Sequence, residues 1–247
     1  MDLLGFEDNE NTRTILKEKR IEDLRDSKGD SPLHVAFEKY TSDLLDENII
    51  DFLIESKSDL NSIDSLEGSP LHVACLNDNI SLEMLGYLID KKSNLNLKNS
   101  QKKTPLHAHL CDSFSIEEEK IKLLVEKKSD LNIKNSLYET AFHTLCQRSS
   151  KASLIQLFVE NKAHFFEEDN ESFTPLEYIK NIPKETLLYL FCLPNYSVKK
   201  PSLVRFSEIS NLFSLYSQAS LFSKELFPFP SFLPKDRLHH LPLFFCF

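Results

Sequence analysis

Four stretches of the chain share one hydrophobic rhythm. Ile49-Ile50-Asp51-Phe52-Leu53-Ile54, Met84-Leu85-Gly86-Tyr87-Leu88-Ile89, Ile121-Lys122-Leu123-Leu124-Val125 and Leu154-Ile155-Gln156-Leu157-Phe158-Val159 place apolar residues at i, i+3 and i+4. That stripe predicts four half-buried helices. Ahead of each lies a run that continues with small apolar residues, as in Val35-Ala36, Val73-Ala74-Cys75 and Leu145-Cys146. Small side chains let neighbouring helices approach closely. Each of these runs opens on Ser or Thr, which can cap a helix by accepting N–H bonds from its first turn. Proline follows in most of them, at the first helical position, where its missing donor is harmless. The pattern therefore predicts helix pairs, repeated along the chain.

The openings are copies of one tetrapeptide: Ser31-Pro32-Leu33-His34, Ser69-Pro70-Leu71-His72 and Thr104-Pro105-Leu106-His107, then the degenerate Thr140-Ala141-Phe142-His143 and Thr174-Pro175-Leu176-Glu177. Their spacings are 38, 35, 36 and 34 residues. A second element recurs between them: Ser58-Asp59-Leu60-Asn61, Ser93-Asn94-Leu95-Asn96, Ser129-Asp130-Leu131-Asn132 and the degenerate Ala163-His164-Phe165-Phe166. From its last residue to the next Ser/Thr is always eight residues. The connector is fixed in length, so all the variation lies in the helical part. Five residues before each Ser/Thr stands Asp26, Asp64, Asn99, Asn135 or Asp169. Asx side chains bond nearby backbone and suit tight turns.

Together these elements resemble the TPLH motif and the GADVN turn of ankyrin repeats, whose period is about 33 residues. The resemblance covers roughly residues 10–193. It implies an all-α fold, an ankyrin-repeat solenoid of stacked helix-turn-helix units with β-hairpin loops, about four full repeats plus partial caps. The expected organisation is an N-terminal partial repeat at 1–28 and repeats at 29–66, 67–101, 102–137 and 138–171. A C-terminal partial repeat follows at 172–193, then an extension at 194–247. On the family template the residues in excess of 33 fall between the two helices of a unit or extend them. The family also implies that His34, His72, His107 and His143 tie each hairpin loop to its neighbour by hydrogen bonds.

The chain departs from the family pattern at its glycines. Where a glycine usually ends the second helix, the residues are Lys57, Lys92, Lys128 and Lys162, and the usual hairpin glycine survives only as Gly29. A non-glycine residue in the left-handed region costs about 1 kcal/mol. A cation near a helix C-terminus recovers about 0.3–1 kcal/mol. Modest stability is expected.

Composition narrows the function. The formal charge is −9, which argues against nucleic acid as a main partner. The five cysteines, Cys75, Cys111, Cys146, Cys192 and Cys246, include no CxxC pair, which suits reduced thiols in a cytoplasmic or nuclear protein. The acidic N-terminus has no apolar core of a signal peptide. No uncharged apolar run reaches the roughly 18 residues of a spanning helix. The extension is rich in Phe, Ser, Leu and Pro, with helical spacing over Val204 to Phe222.

No motif of an enzyme is present, and no cofactor is expected. His107, His109 and Cys111 offer two ligands at i, i+4 but no third or fourth at standard spacing, so no metal site is assigned. Glu117-Glu118-Glu119 reads as a solvated helix start, and Lys91-Lys92, Lys102-Lys103 and Lys127-Lys128 as solvated helix ends. The resemblance implies a protein–protein interaction module, monomeric, whose concave face is built from hairpin tips and first helices. Carried onto this chain, the family's contact positions are Lys28, Asp30, Glu38 and Lys39; Leu66, Leu76 and Asn77; Gln101, Lys103 and Asp112; Leu137, Glu139, Gln147 and Arg148; and Phe173. The loop serines Ser27, Ser65, Ser100 and Ser136 accompany them. The alternative reading is a ubiquitin-ligase adapter, with Ser202–Ser207 and Leu233–Leu238 weakly resembling the openings of ligase-docking tails.

Overall fold

The computed structural model describes residues 24–40, 47–66, 68–165 and 167–179. The leading partial repeat before residue 24, the domain boundary at 193, the helical spacing over 204–222 and the whole extension lie outside the described residues.

Among the described residues the chain forms eight α-helices in four pairs and one closing 3-10 turn. The first helices are α1 (Pro32–Lys39), α3 (Pro70–Leu76), α5 (Pro105–Asp112) and α7 (Ala141–Arg148). The second helices are α2 (Glu47–Glu55), α4 (Leu82–Asp90), α6 (Glu118–Glu126) and α8 (Ala152–Glu160). The turn η1 spans Pro175–Tyr178. Helix α1 packs on α3, α3 on α5, α5 on α7 and α7 on η1, while α4 packs on α6 and α6 on α8. Every Ser/Thr-Pro-Leu-His copy begins a first helix, at matching positions in successive layers.

All four second helices have nine residues. The variation in repeat length therefore sits in the first helices and the short connectors after them, which run to seven, five, five and three residues. Connections between packed helices tolerate insertion better than the helices themselves.

The first helices are the interior ones. Leu33, Ala36, Leu71, Ala74, Ala108, Ala141 and Leu145 are buried. Alanine at the helix crossings keeps neighbouring layers close. Each second helix contributes one apolar stripe: Ile49, Ile50 and Leu53; Leu85 and Leu88; Ile121 and Leu124; Leu154, Ile155 and Phe158. Each such side chain contributes about 1.5–3 kcal/mol on burial. Phe158 stacks on Phe142 with ring centroids 5.6 Å apart, joining the two helices of the fourth unit.

The second helices end as the glycine deficit foretold. Lys57, Lys92, Lys128 and Lys162 all have positive φ, at 65°, 77°, 73° and 66°. The hairpins repeat the strain one position before the motif's own neighbour: Gly29 has φ 88°, and Lys102, Tyr138 and Ser172 have 56°, 63° and 62°. Lys102 and Lys103 belong to a hairpin, not to a helix end. Each hairpin closes through its Asx residue, whose N–H donates to the carbonyl four residues on: Asp26 to Asp30, Asp64 to Gly68, Asn99 to Lys103, Asn135 to Glu139 and Asp169 to Phe173. Strand structure amounts to one antiparallel bridge, Lys134 with Thr140, among the described residues.

Candidate functional site

Three series of hydrogen bonds run from layer to layer, and together they decide which side chains remain for a partner. The first is the histidine series. In His34 the Nε2–H donates to Gly68 O at 3.0 Å; His72 reaches Lys103 O at 3.0 Å, His107 Glu139 O at 3.3 Å and His143 Phe173 O at 3.2 Å. Each imidazole thus clamps the next hairpin, as the resemblance implied. A proton on Nε2 leaves Nδ1 as the acceptor. It takes the N–H of Ser31, Ser69, Thr104 or Thr140 and lies 2.7–2.9 Å from the same residue's hydroxyl. The cap hydroxyl therefore serves mainly as a donor to histidine. Its role as acceptor for the helix is the lesser one: the His107 N–H reaches Thr104 Oγ1 only at 3.4 Å. Burial lowers the pKa of all four histidines, that of His107 to about 4. In the fifth copy Glu177 replaces histidine. Its Oε2 accepts both the N–H and the hydroxyl of Thr174, at 2.7 and 2.9 Å.

The second series is an asparagine ladder along the GADVN-like turns. Asn61 Oδ1 accepts the N–H of Asn94 at 2.7 Å, Asn96 Oδ1 that of Asp130 at 2.9 Å, and Asn132 Oδ1 that of His164 at 2.7 Å. The residue two earlier folds each turn, with Asp59, Asn94 and Asp130 accepting the ladder residue's own N–H at 2.9 Å.

The third series braces the C-terminal ends of the first helices. Asn77, eight residues after its Ser, donates from Nδ2 to Phe37 O and Tyr40 O at 2.7 and 2.8 Å. Arg148, eight after its Thr, donates to Leu110 O and Ser113 O at 2.7 and 3.0 Å. These carbonyls stand six and nine residues after their own Ser or Thr in both cases. In the third repeat that position is Asp112, which has no proton to give. Two other residues substitute. His109 donates from Nδ1 to Cys75 O at 2.8 Å, and Lys120, fully buried, reaches Asn77 O at 2.8 Å while Glu117 lies 2.8 Å from its ammonium. Glu117 is thus an internal counter-ion, and Glu118 pairs with Lys151 of the next unit at 2.5 Å. The triplet read as a solvated helix start is largely committed. Lys127 is likewise paired, with Asp90, and Lys91 lies over the Tyr87 ring. Sequence reasoning gave no role to Lys120 or the ladder asparagines. The available signal was the donor type eight residues after each motif start.

The family-derived contact positions divide accordingly. Asp30 and Glu139 are buried. Glu139 is held by Asn135 Nδ2 at 2.9 Å and Gln147 Nε2 at 2.6 Å. Asn77 and Arg148 serve the brace. Lys103 is tied to Asp112 at 2.8 Å, and Lys28 lies 3.8 Å from Glu38 across an exposed surface. Lys39 is half-buried and Gln101 exposed. Left open are apolar side chains: Leu66 (66% exposed), Leu137 (50%), Phe173 (40%) and Leu76 (37%). The tips are joined through backbone, the Ser100 N–H donating to Leu66 O, Ser136 to Gln101 O and Asn170 to Leu137 O at 2.9–3.1 Å.

Among the described residues no group of three or more His, Cys, Asp or Glu side chains is placed to hold a metal ion, and no helix is long and apolar enough to cross a membrane. The motif histidines spend both ring nitrogens on the scaffold. Burial pushes the Cys75 thiol up to about 12 and that of Cys146 well above its ordinary value. Protonated, enclosed thiols suit packing and not nucleophilic attack.

Residues 42–135 match the family model for ankyrin repeats, in three copies. No curated protein matches the chain. The units at both flanks of the matched region, α1 with its hairpin and α7 with α8, carry the same motif starts and the same histidine clamps. The matched region and the units that flank it are ankyrin repeats, and such repeats indicate a protein–protein interaction module.

Proposed function

We propose that the chain holds another protein against the row of hairpin tips and first-helix ends that runs from Lys28 to Phe173. One observation carries this reading. Leu66, Leu137 and Phe173 stand exposed on tips whose backbones are hydrogen-bonded in series. Water-exposed apolar side chains on an ordered scaffold bind without a large ordering cost, and such residues anchor interfaces. The polar members divide into supports and rim. Asn77, Glu139, Gln147 and Arg148 hold the hairpins and helix ends and Asp30 is buried, while Lys28, Glu38, Lys39, Gln101, Lys103 and Asp112 surround the anchors.

The test is co-precipitation from the source cells with the full chain as bait, beside a Leu66→Ser/Leu137→Ser variant with unchanged far-UV circular dichroism. Loss of the captured proteins from the variant is expected. Capture at undiminished levels would refute the assignment of this face.

A further inference from the structure

In three of the four units polar side chains cross from the hairpin to the end of the first helix that follows it. In the first unit Lys28, three residues before the motif Ser, lies 3.8 Å from Glu38, seven after it. In the third Lys103 pairs with Asp112 at 2.8 Å, and in the fourth Gln147 donates to Glu139 at 2.6 Å. The second unit has no such bridge among the described residues. Gly68 stands where Lys103 and Glu139 stand and offers no side chain. Asn77, in the place of Asp112, is turned back to Phe37 O and Tyr40 O. Leu66 and Leu76 occupy the places of Lys28 and Glu38, and both are exposed, at 66% and 37%. Two leucines reach less far than a lysine and a glutamate, by about three atoms in all, so the space that the ion pair closes in the first unit stays open in the second. It is about one layer of carbon atoms wide, with contacts of about 3.5–4.0 Å on either side. Both walls are fixed. Asp64 Oδ1 accepts the N–H groups of Leu66 and Gly68 at 2.8 Å, the Ser100 N–H donates to Leu66 O, and the brace at Asn77 holds the helix end beside Leu76.

We infer that the partner protein is fixed at this notch by one bulky uncharged side chain, aliphatic or aromatic, inserted between Leu66 and Leu76. The inference deepens the proposed function and rests on it. The other exposed apolar side chains of the row lack a facing wall of this kind. Beside Leu137 the crossing is closed by Glu139 with Gln147, and the Phe173 ring lies against Tyr178 with centroids 5.5 Å apart. An apolar group entering the second unit leaves water on two sides at once, whereas over Leu137 it is covered on one. Removal of both faces from water makes an anchor of the one side chain that achieves it. The flanking units select against charge. Lys28 with Glu38 on one side and Lys103 with Asp112 on the other already neutralise each other. A cation or carboxylate between the leucines would lose its water and meet no counter-ion. Walls that are ordered beforehand keep the cost of binding low.

The test uses phage-displayed random peptides selected on the full chain, the strongest binder then being synthesised and titrated. Its sequence should hold one Leu, Ile, Met, Phe or Trp whose replacement by Ala weakens binding roughly tenfold or more. Leu66→Lys/Leu76→Glu transplants the first unit's bridge into the second and should weaken the same peptide at least as much, with far-UV circular dichroism and urea midpoint unchanged. Leu76→Ser, a single change at an exposed site, decides the matter should the double variant fail to fold. It should weaken the peptide by about threefold to tenfold, and Leu137→Ser by less than about threefold. No enriched peptide, no single essential apolar residue, or binding indifferent to Leu76→Ser each overturns the inference. Co-precipitation with Leu76→Ser as bait then separates the two readings. Partners kept by Leu76→Ser but lost by Leu66→Ser/Leu137→Ser leave the wider face in place and remove only the notch. Partners kept by both remove the wider reading as well.

Discussion

Acid should loosen this stack one histidine at a time, and His107 gives the magnitude. In the folded chain its Nδ1 must stay unprotonated to accept from Thr104, while its Nε2–H serves Glu139 O. Burial holds its pKa down at about 4, against 6.5 for an ordinary histidine. Between those values the unfolded chain binds a proton that the folded chain refuses, so stability falls as pH falls. Above pH 6.5 neither state is protonated and the contribution is fully present; below about 4 it has been lost. The difference of 2.5 units corresponds to about 3 kcal/mol, or about 1.4 kcal/mol per pH unit inside the window. His34, His72 and His143 are shifted in the same direction by the same cause, so their losses add to it. The hydrogen-bonded carboxylates Asp26, Glu118, Glu167 and Asp169 are held below their ordinary values and act only at lower pH. The assay is urea unfolding of the full chain followed by circular dichroism from pH 7.5 to 4.5, with His107→Gln as the comparison. NMR titration of the His107 ring gives an independent reading. The unfolding midpoint should drop steadily below pH 6.5, and less steeply in the variant. A flat midpoint between pH 7 and 5, or a His107 ring that titrates near 6.5, would refute the argument.

Replacing Lys57, Lys92, Lys128 and Lys162 together by Gly removes four left-handed penalties of about 1 kcal/mol each. Glycine's greater freedom in the unfolded chain and the lost cation at the helix end offset most of this. The net gain should be about 1–2 kcal/mol for the four, read as a higher urea midpoint; a lower midpoint would show that strain is not the dominant effect. Gly86 is the reverse case, an interior residue of α4 with open space where a Cβ would stand. Gly86→Ala should stabilise by about 0.5–1 kcal/mol. Asn96→Ala removes the acceptor for the Asp130 N–H and should cost about 0.5–1.5 kcal/mol, without altering the helical circular dichroism of the folded chain. Asn77→Asp turns a carboxylate towards Phe37 O and Tyr40 O and should cost about 2–4 kcal/mol.

The repeat was legible because its signals are local and redundant. Ser31-Pro32-Leu33-His34 states a cap, a first helical residue, a core side chain and a clamp in four consecutive positions, and the statement recurs. The strained lysines were legible for the same reason. A helix that must end in a left-handed residue leaves a gap in the pattern when glycine is missing, and Lys57, Lys92, Lys128 and Lys162 occupy that gap. The binding face was legible only by position. Contact positions taken from the family select Asn77 and Arg148 as readily as Leu66, because position within a repeat does not reveal whether a side chain turns outward or reaches back to the preceding layer.

What sequence could not state is a function passed from one position to another. The brace at the first-helix ends needs a donor, and the second and fourth repeats supply it eight residues after the motif start as Asn77 and Arg148. The third repeat has Asp112 there, and a carboxylate facing carbonyl oxygens would be repelled. Asp112 is instead turned to Lys103, and the donors come from His109 on the same helix and Lys120 on the next. A buried ammonium is costly unless paired and hydrogen-bonded, and Glu117 beside Lys120, with Asn77 O in reach, satisfies that condition. His109, Glu117 and Lys120 therefore form one unit that replaces a single missing amide. Restoring the amide at 112 without removing the unit would set a second donor against Cys75 O, which His109 already serves. The third repeat is committed to its own solution, and the regular repeat conceals it because the three residues stand at positions where the other repeats have no comparable task.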